Sequence, residues 1–159
     1  NQGMQPIAGY NFGAKLYSRV DEVLRKAIVR ATIVTTTGFL VGELFPRAVA
    51  SIFTNDAELI ELSANGMRIV FMSYPIIGFQ MVTANFFQSI GMVNKSIFMS
   101  LSRQLLFLLP LLLILPYFWG INGIWYSMPI ADTISSVVAG ILLYRQLKMF
   151  KINATIQAN

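Results

Sequence analysis

Residues Leu105–Leu115 read LLFLLPLLLIL. A helix that is apolar on every side has no face to offer to water, so it must lie in a large core or in lipid. The apolar run that holds it extends from about Ile97 to Leu115. Three others accompany it, at about Ala27–Leu44, Met67–Ile90 and Ile124–Leu143. Each approaches the ~20 residues a helix needs to cross a bilayer. Only 12% of the chain is charged, against about 25% in a soluble domain, so there is no charged coat to hold four such runs in water. The sequence predicts an all-α integral membrane fold with four transmembrane helices. Pro75, Pro110 and Pro129 fall inside the runs, which lipid tolerates when neighbouring groups satisfy the freed carbonyls.

The connections divide the chain into three parts. Residues 1–26 read as a loop and an amphipathic lead-in, 27–147 as the transmembrane segment and 148–159 as a tail. The stretch Met4–Lys15, MQPIAGYNFGAK, mixes Gly, Pro, Asn and aromatics without helical or strand periodicity, so a loop is expected there. Ser18 and Asp21 fit a capping box at the start of the lead-in. A polar helical lead, Asp56–Asn65, precedes the second run, with Thr54 or Asn55 as its cap. Antiparallel hairpins are expected through Met92–Lys95 and through Trp119–Gly123. Asn1 is not a start residue, and a piece of a longer protein is expected.

Charge sets the orientation. Lys15, Arg19, Arg25, Lys26, Arg30, Lys95, Arg103, Arg145, Lys148 and Lys151 fall on one side, while Arg47 and Arg68 lie on the other with Asp56, Glu58 and Glu61. Cytoplasmic ends carry the excess of Lys and Arg. Both termini are therefore expected in the cytoplasm of a cell whose inner (plasma) membrane the chain spans, with membrane lipid as its surroundings. Tyr117, Phe118, Trp119, Trp125 and Tyr126 form an aromatic belt at the opposite interface. The formal charge of +5 is explained by topology, and no nucleic-acid partner is expected. The chain has no Cys and no His. Thiolate metal sites and Ser-His or Cys-His nucleophiles are thus excluded, and neither enzyme activity nor a cofactor is expected.

Helical spacing gathers the remaining polar residues into stripes. Thr32, Thr35 and Thr36 share a face of the first run. Ser73, Gln80 and Gln88 lie close together on the second, with Ala84 between the two glutamines. Thr35, Thr36, Gln80, Ala84 and Gln88 are the candidates for a substrate cavity. The competing reading is packing, because small residues let helices approach closely and Thr bonds back to its own helix. Glu43 is expected to pair with Arg47 or Arg68. Asp132 stands near mid-depth in the fourth run, where a carboxylate costs roughly 2.5–3.5 kcal/mol on insertion scales. Two readings of it stay open. One is ion coupling; the other is a structural pair with Arg103, which approaches from the cytoplasmic end. In either case a polar partner is expected, Arg103 or a polar group of the second run.

The opening stretch GMQPIAGYNFGAK (3–15), followed by Arg19-Val20, resembles the cytoplasmic loop signature of multidrug and toxic compound extrusion (MATE) transporters, after the eighth of their twelve helices. Leu44-Phe45, Ile52-Phe53-Thr54 with Asp56, Met67-Arg68-Ile69 and Tyr74-Pro75-Ile76-Ile77-Gly78 are similar to the ninth and tenth helices and their connection. Phe87–Gly91 resembles the end of the tenth, and Gly123-Ile124-Trp125 with Pro129–Asp132 the start of the twelfth. The resemblance implies a fragment of the second of two six-helix bundles. Its partners would be the first bundle and the two preceding helices. The whole would be an antiporter exporting small amphipathic, often cationic compounds by alternating access, coupled to Na⁺ or H⁺. Some members carry a coupling carboxylate in the tenth helix, but the run Met67–Ile90 has none, so the residues do not assign the coupling ion. The alternatives are a lipid or polysaccharide-precursor flippase of the same superfamily and a stand-alone four-helix membrane protein.

Overall fold

A computed structural model describes residues 2–158. Helices follow one another in the order α1 (Met4–Gly13), α2 (Tyr17–Leu44), α3 (Pro46–Ser51), α4 (Ala57–Phe71), α5 (Tyr74–Ser89), α6 (Val93–Leu101), a π-helical stretch (Ser102–Leu108) and α7 (Leu109–Ala158). There is no strand among the described residues.

The opening stretch is a helix, not the expected loop. It closes with Lys15 in the left-handed region at φ 58°. The Leu16 N–H reaches back to the Asn11 carbonyl and the Lys15 N–H to that of Phe12, the Schellman arrangement that satisfies the last carbonyls of a helix. α5 ends the same way. Gly91 is at φ 78°, and the Met92 N–H bonds the Phe87 carbonyl at 2.8 Å. The first hairpin therefore turns at Ile90–Met92, earlier than expected, because helix α6 already begins at Val93.

Two caps also differ from expectation. α2 begins after Leu16 with no side-chain cap, so Ser18 and Asp21 form no capping box. Asp21 is instead directed to Arg25, 3.7 Å away. At α4 the cap is Asp56, whose carboxylate accepts from the Glu58 and Leu59 N–H groups. Thr54 supports it one step back by accepting from the Asp56 N–H.

The second apolar run is broken. α4 and α5 meet at Met72–Ser73 with a bend of 53°, and Pro75 sits in the first turn of α5, where its missing N–H costs nothing. α6, the π stretch and α7 form one apolar run that folds back on itself at Gly120. That residue has φ 55° and ψ −136°, open to glycine and sparsely to anything else. Three pairs straddle this point about equally: Leu115 with Gly123, Arg103 with Asp132, and Lys95 with Gln146. Residues 93–119 and 121–158 are thus the two limbs of an antiparallel hairpin. With the hairpin counted as two limbs, α2, the bent α4–α5 pair and the limbs are four segments of a length and apolarity suited to crossing a bilayer.

α5 is the central helix, with α1, α2, α6 and the return limb packed around it. Its Gly78 lets α2 approach closely: a Cβ there would stand 2.8 Å from Thr35 Oγ1 and 3.1 Å from the Ala31 carbonyl. Gly9 does the same for α1, since a Cβ would meet the Ser89 carbonyl oxygen at 2.8 Å. Phe86 and Phe87 are fully buried in this core.

Candidate functional site

The polar centre of the molecule lies where three elements meet: the α4–α5 break, the π stretch and the return limb. Asp132 is 3% exposed. Arg103 Nε donates to its Oδ1 at 2.6 Å, and Ser73 Oγ donates to its Oδ2 at 2.8 Å. Both carboxylate oxygens therefore have a partner, one of them charged, which is what a buried carboxylate requires. The cluster ties all three elements together by their side chains.

Local backbone makes this possible. Ser73 is the residue at which α4 stops and α5 starts, so its side chain leaves the break rather than a regular helix face. Arg103 is the second residue of the π stretch. The Leu109 N–H reaches back five residues to the Gln104 carbonyl, which widens the helix and resets the direction of the side chains within it. Such π insertions concentrate at functional sites. Sequence reasoning does not reach the π stretch, and it reaches the Ser73 contact only as an unnamed polar group of the second run. The Pro75 that follows Ser73 is a usable signal for the break, whereas nothing in SRQLLFL signals a π turn.

The neighbouring hydroxyls close the surroundings of the pair. Ser136 Oγ donates to the Ile76 carbonyl across to α5 at 3.4 Å. Ser127 is completely buried and bonds back to Gly123. Ser135 is buried, and its Oγ has no partner among the described residues.

Thr35 bonds back to the Ala31 carbonyl at 2.9 Å. It also lines an open cavity of about 680 Å³ between α1, α2 and α5, with Arg30, Val34 and Met81 among its neighbours there. Thr36, Gln80, Ala84 and Gln88 do not line that cavity. Thr36 is half-buried and Gln88 exposed. Gln80 and Ala84 are buried inside the bundle at 4% and 7% exposure. Glu43 pairs with neither Arg47 nor Arg68; Arg47 instead bonds Glu61 at 2.7 Å, because α3 turns it toward α4. Asn85 accepts from Gln5 Nε2 at 3.3 Å, a second tie between α1 and α5.

Residues 1–114 match the MatE family. Among curated relatives, the multidrug export protein MepA of Staphylococcus saprophyticus is 20% identical over 143 residues, covering 90% of this chain and 31% of the relative. MepA of Staphylococcus haemolyticus is 19% identical over 144 residues, with 91% and 31% covered. Among solved structures, the MATE multidrug transporter DinF-BH superposes with a TM-score of 0.87 at 43% identity, over 94% of this chain and 33% of that one. Inward-facing and outward-facing structures of a multidrug resistance MATE transporter each give a TM-score of 0.86 at 20% identity, covering 93% of this chain and 35% and 34% of theirs. The chain spans about a third of the length of the relatives it matches.

Proposed function

Since the chain belongs to the MatE family, a family of transporters rather than enzymes, we propose that it forms the last four crossings of a cation-coupled multidrug efflux antiporter. The antiporter exports amphipathic, often cationic compounds by alternating access, with Na⁺ or H⁺ as the coupling ion. The observation that carries this reading is the 43% identity, sustained over nearly the whole chain, to a multidrug transporter. Alternating access is supported by equal superposition on an inward-facing and an outward-facing transporter: a unit that fits both states alike can move between them as one body. The remaining crossings, including a first bundle, belong to the longer protein.

Asp132 is a structural carboxylate in this reading. Each of its oxygens already accepts a hydrogen bond, from Arg103 and from Ser73, and the guanidinium neutralises its charge, which disfavours a coupling cation there. The same pairing speaks against a flippase, whose phosphate-bearing cargo would need Arg103 unneutralised. Drug-like cargo would touch Thr35 on the open face between α1, α2 and α5. Thr36, Gln80, Ala84 and Gln88 would serve packing unless the assembled transporter opens a path to them.

Efflux from drug-sensitive cells expressing the intact protein tests the proposal. Wild type should raise resistance to at least one amphipathic cation, and Gln80→Leu should leave every resistance unchanged if that residue only packs. No export of any compound by an abundant, membrane-inserted protein would refute the function. Orientation follows from the Lys and Arg asymmetry: both ends lie in the cytoplasm, with the protein in the inner (plasma) membrane. A reporter fused after Lys151 should read cytoplasmic and one near Glu58 extracytoplasmic; the reverse at both positions would sink that assignment.

A further inference from the structure

At the Lys- and Arg-rich end, the start of α2 and the last turns of the return limb part to leave a cavity of about 620 Å³. Tyr17, Leu147 and Phe150 line it together with three cations, Arg25, Lys148 and Lys151. One carboxylate, Asp21, shares the lining and lies 3.7 Å from Arg25. Three cations less one carboxylate leave the lining at +2.

Its depth in the membrane follows from helix length. Residues 121–147 of the return limb rise about 40 Å, close to the ~40–45 Å of a bilayer with its headgroup layers. Trp119 and Tyr126 pack edge to face at the far end of the limb, where interfacial aromatics belong. Lys148 and Lys151 therefore stand at the headgroup level of the other leaflet. Basic pockets between transmembrane helices at that level suit anionic lipid headgroups.

We propose that this cavity binds an anionic phospholipid of that leaflet. Its phosphodiester lies against Lys148, Lys151 and Arg25, and its acyl chains descend along the apolar side chains of the two helices. The combination matters: cations alone would attract any soluble anion, and an apolar cleft alone would accept any lipid. A lipid seated here bridges α2 to the return limb beside the stacked rings of Tyr17 and Phe150, whose centroids are 5.3 Å apart. The inference does not depend on what the protein exports.

Native mass spectrometry of the intact, detergent-purified protein tests it, with dioleoyl phosphatidylglycerol and dioleoyl phosphatidylcholine as probes. Phosphatidylglycerol should bind at least about five-fold tighter, and Lys148→Gln and Lys151→Gln should each weaken it about five-fold, the contribution expected of one cation at a membrane surface. Arg145→Gln removes a charge outside the lining and should change little. Ala154→Trp fills the cavity without altering charge and should also weaken binding, which general electrostatic attraction would not predict. Equal affinity for the two lipids, equal losses in Arg145→Gln and Lys148→Gln, or full binding by Ala154→Trp would each overturn the proposal. So would displacement of the lipid by glycerol 3-phosphate at equal concentration, which would mark a soluble-phosphate site.

Discussion

The two ends of α5 are held in opposite ways. At its start, Ser73 joins Arg103 and Asp132 in a small cluster of charge and hydrogen bonds. Near its other end, Phe86 meets Phe150 of the return limb, which in turn packs on Phe12 of α1 and Tyr17 of α2 at centroid distances of 5.7 and 5.3 Å. Each end thus gathers distant parts of the chain. The aromatic end does so by many weak contacts, and losing one leaves the rest in place. The polar end does so by few strong ones, and losing one leaves a buried charge without a partner.

Breaking the polar end should have the largest effect. Asp132→Ala strands Arg103 and Ser73; removal of one partner of a buried pair costs about 3–5 kcal/mol, and because the Arg103 side chain is 30% exposed the loss falls at the low end of that range. The amount of folded protein in the membrane should fall sharply. Arg103→Met combined with Asp132→Leu removes both charges and should recover much of it. Membrane abundance and thermal unfolding of the single and double variants decide: if they fall equally, the pair is not what holds this end of α5.

A middle-sized effect is expected where α1 meets the aromatic end. Gly9→Ala places a methyl 2.8 Å from the Ser89 carbonyl oxygen, so α1 must shift, at a cost of about 1–3 kcal/mol for overpacking. Gly13 faces open space, and Gly13→Ala should be neutral or slightly stabilising, because Ala is the better helix former. Equal unfolding temperatures for the two variants would remove α1 from the packing argument.

The smallest effect belongs to Phe150→Leu. Phe150 is buried at 4% exposure, yet the swap keeps an apolar side chain among several others and should cost about 1 kcal/mol. Thermal unfolding measures it. A loss as large as that of Asp132→Ala would erase the contrast between the two ends.

Legibility in the sequence follows the same division. The all-α membrane class and the crossings are readable from LLFLLPLLLIL and its companions, because a bilayer acts on each segment alone. Asp132 stands out for the same reason, as a carboxylate at a depth where lipid penalises it, and Arg103 can be named from depth. A polar partner on the second run can be expected too, but Ser73 cannot be singled out, because regular helical spacing puts it in a stripe with Gln80, and only the break before Pro75 turns it toward the return limb. The helix at Met4–Gly13 is hidden because its glycines and Asn11 are weak helix formers. Asn11 Nδ2 bonds the Ile7 carbonyl at 2.8 Å, and burial of Met4 and Ala8 outweighs propensity.

By itself, then, the sequence determined which segments are apolar enough to enter a membrane and at which of their ends the cations cluster, since these follow from local free energies of transfer. Tertiary structure alone decided which polar groups meet. The 53° bend between α4 and α5 and the widened π turn at Ser102–Leu108 set side-chain directions that no helical wheel contains. Partners separated by 29 and 59 residues come within hydrogen-bonding distance only after those two irregularities are packed against the same limb.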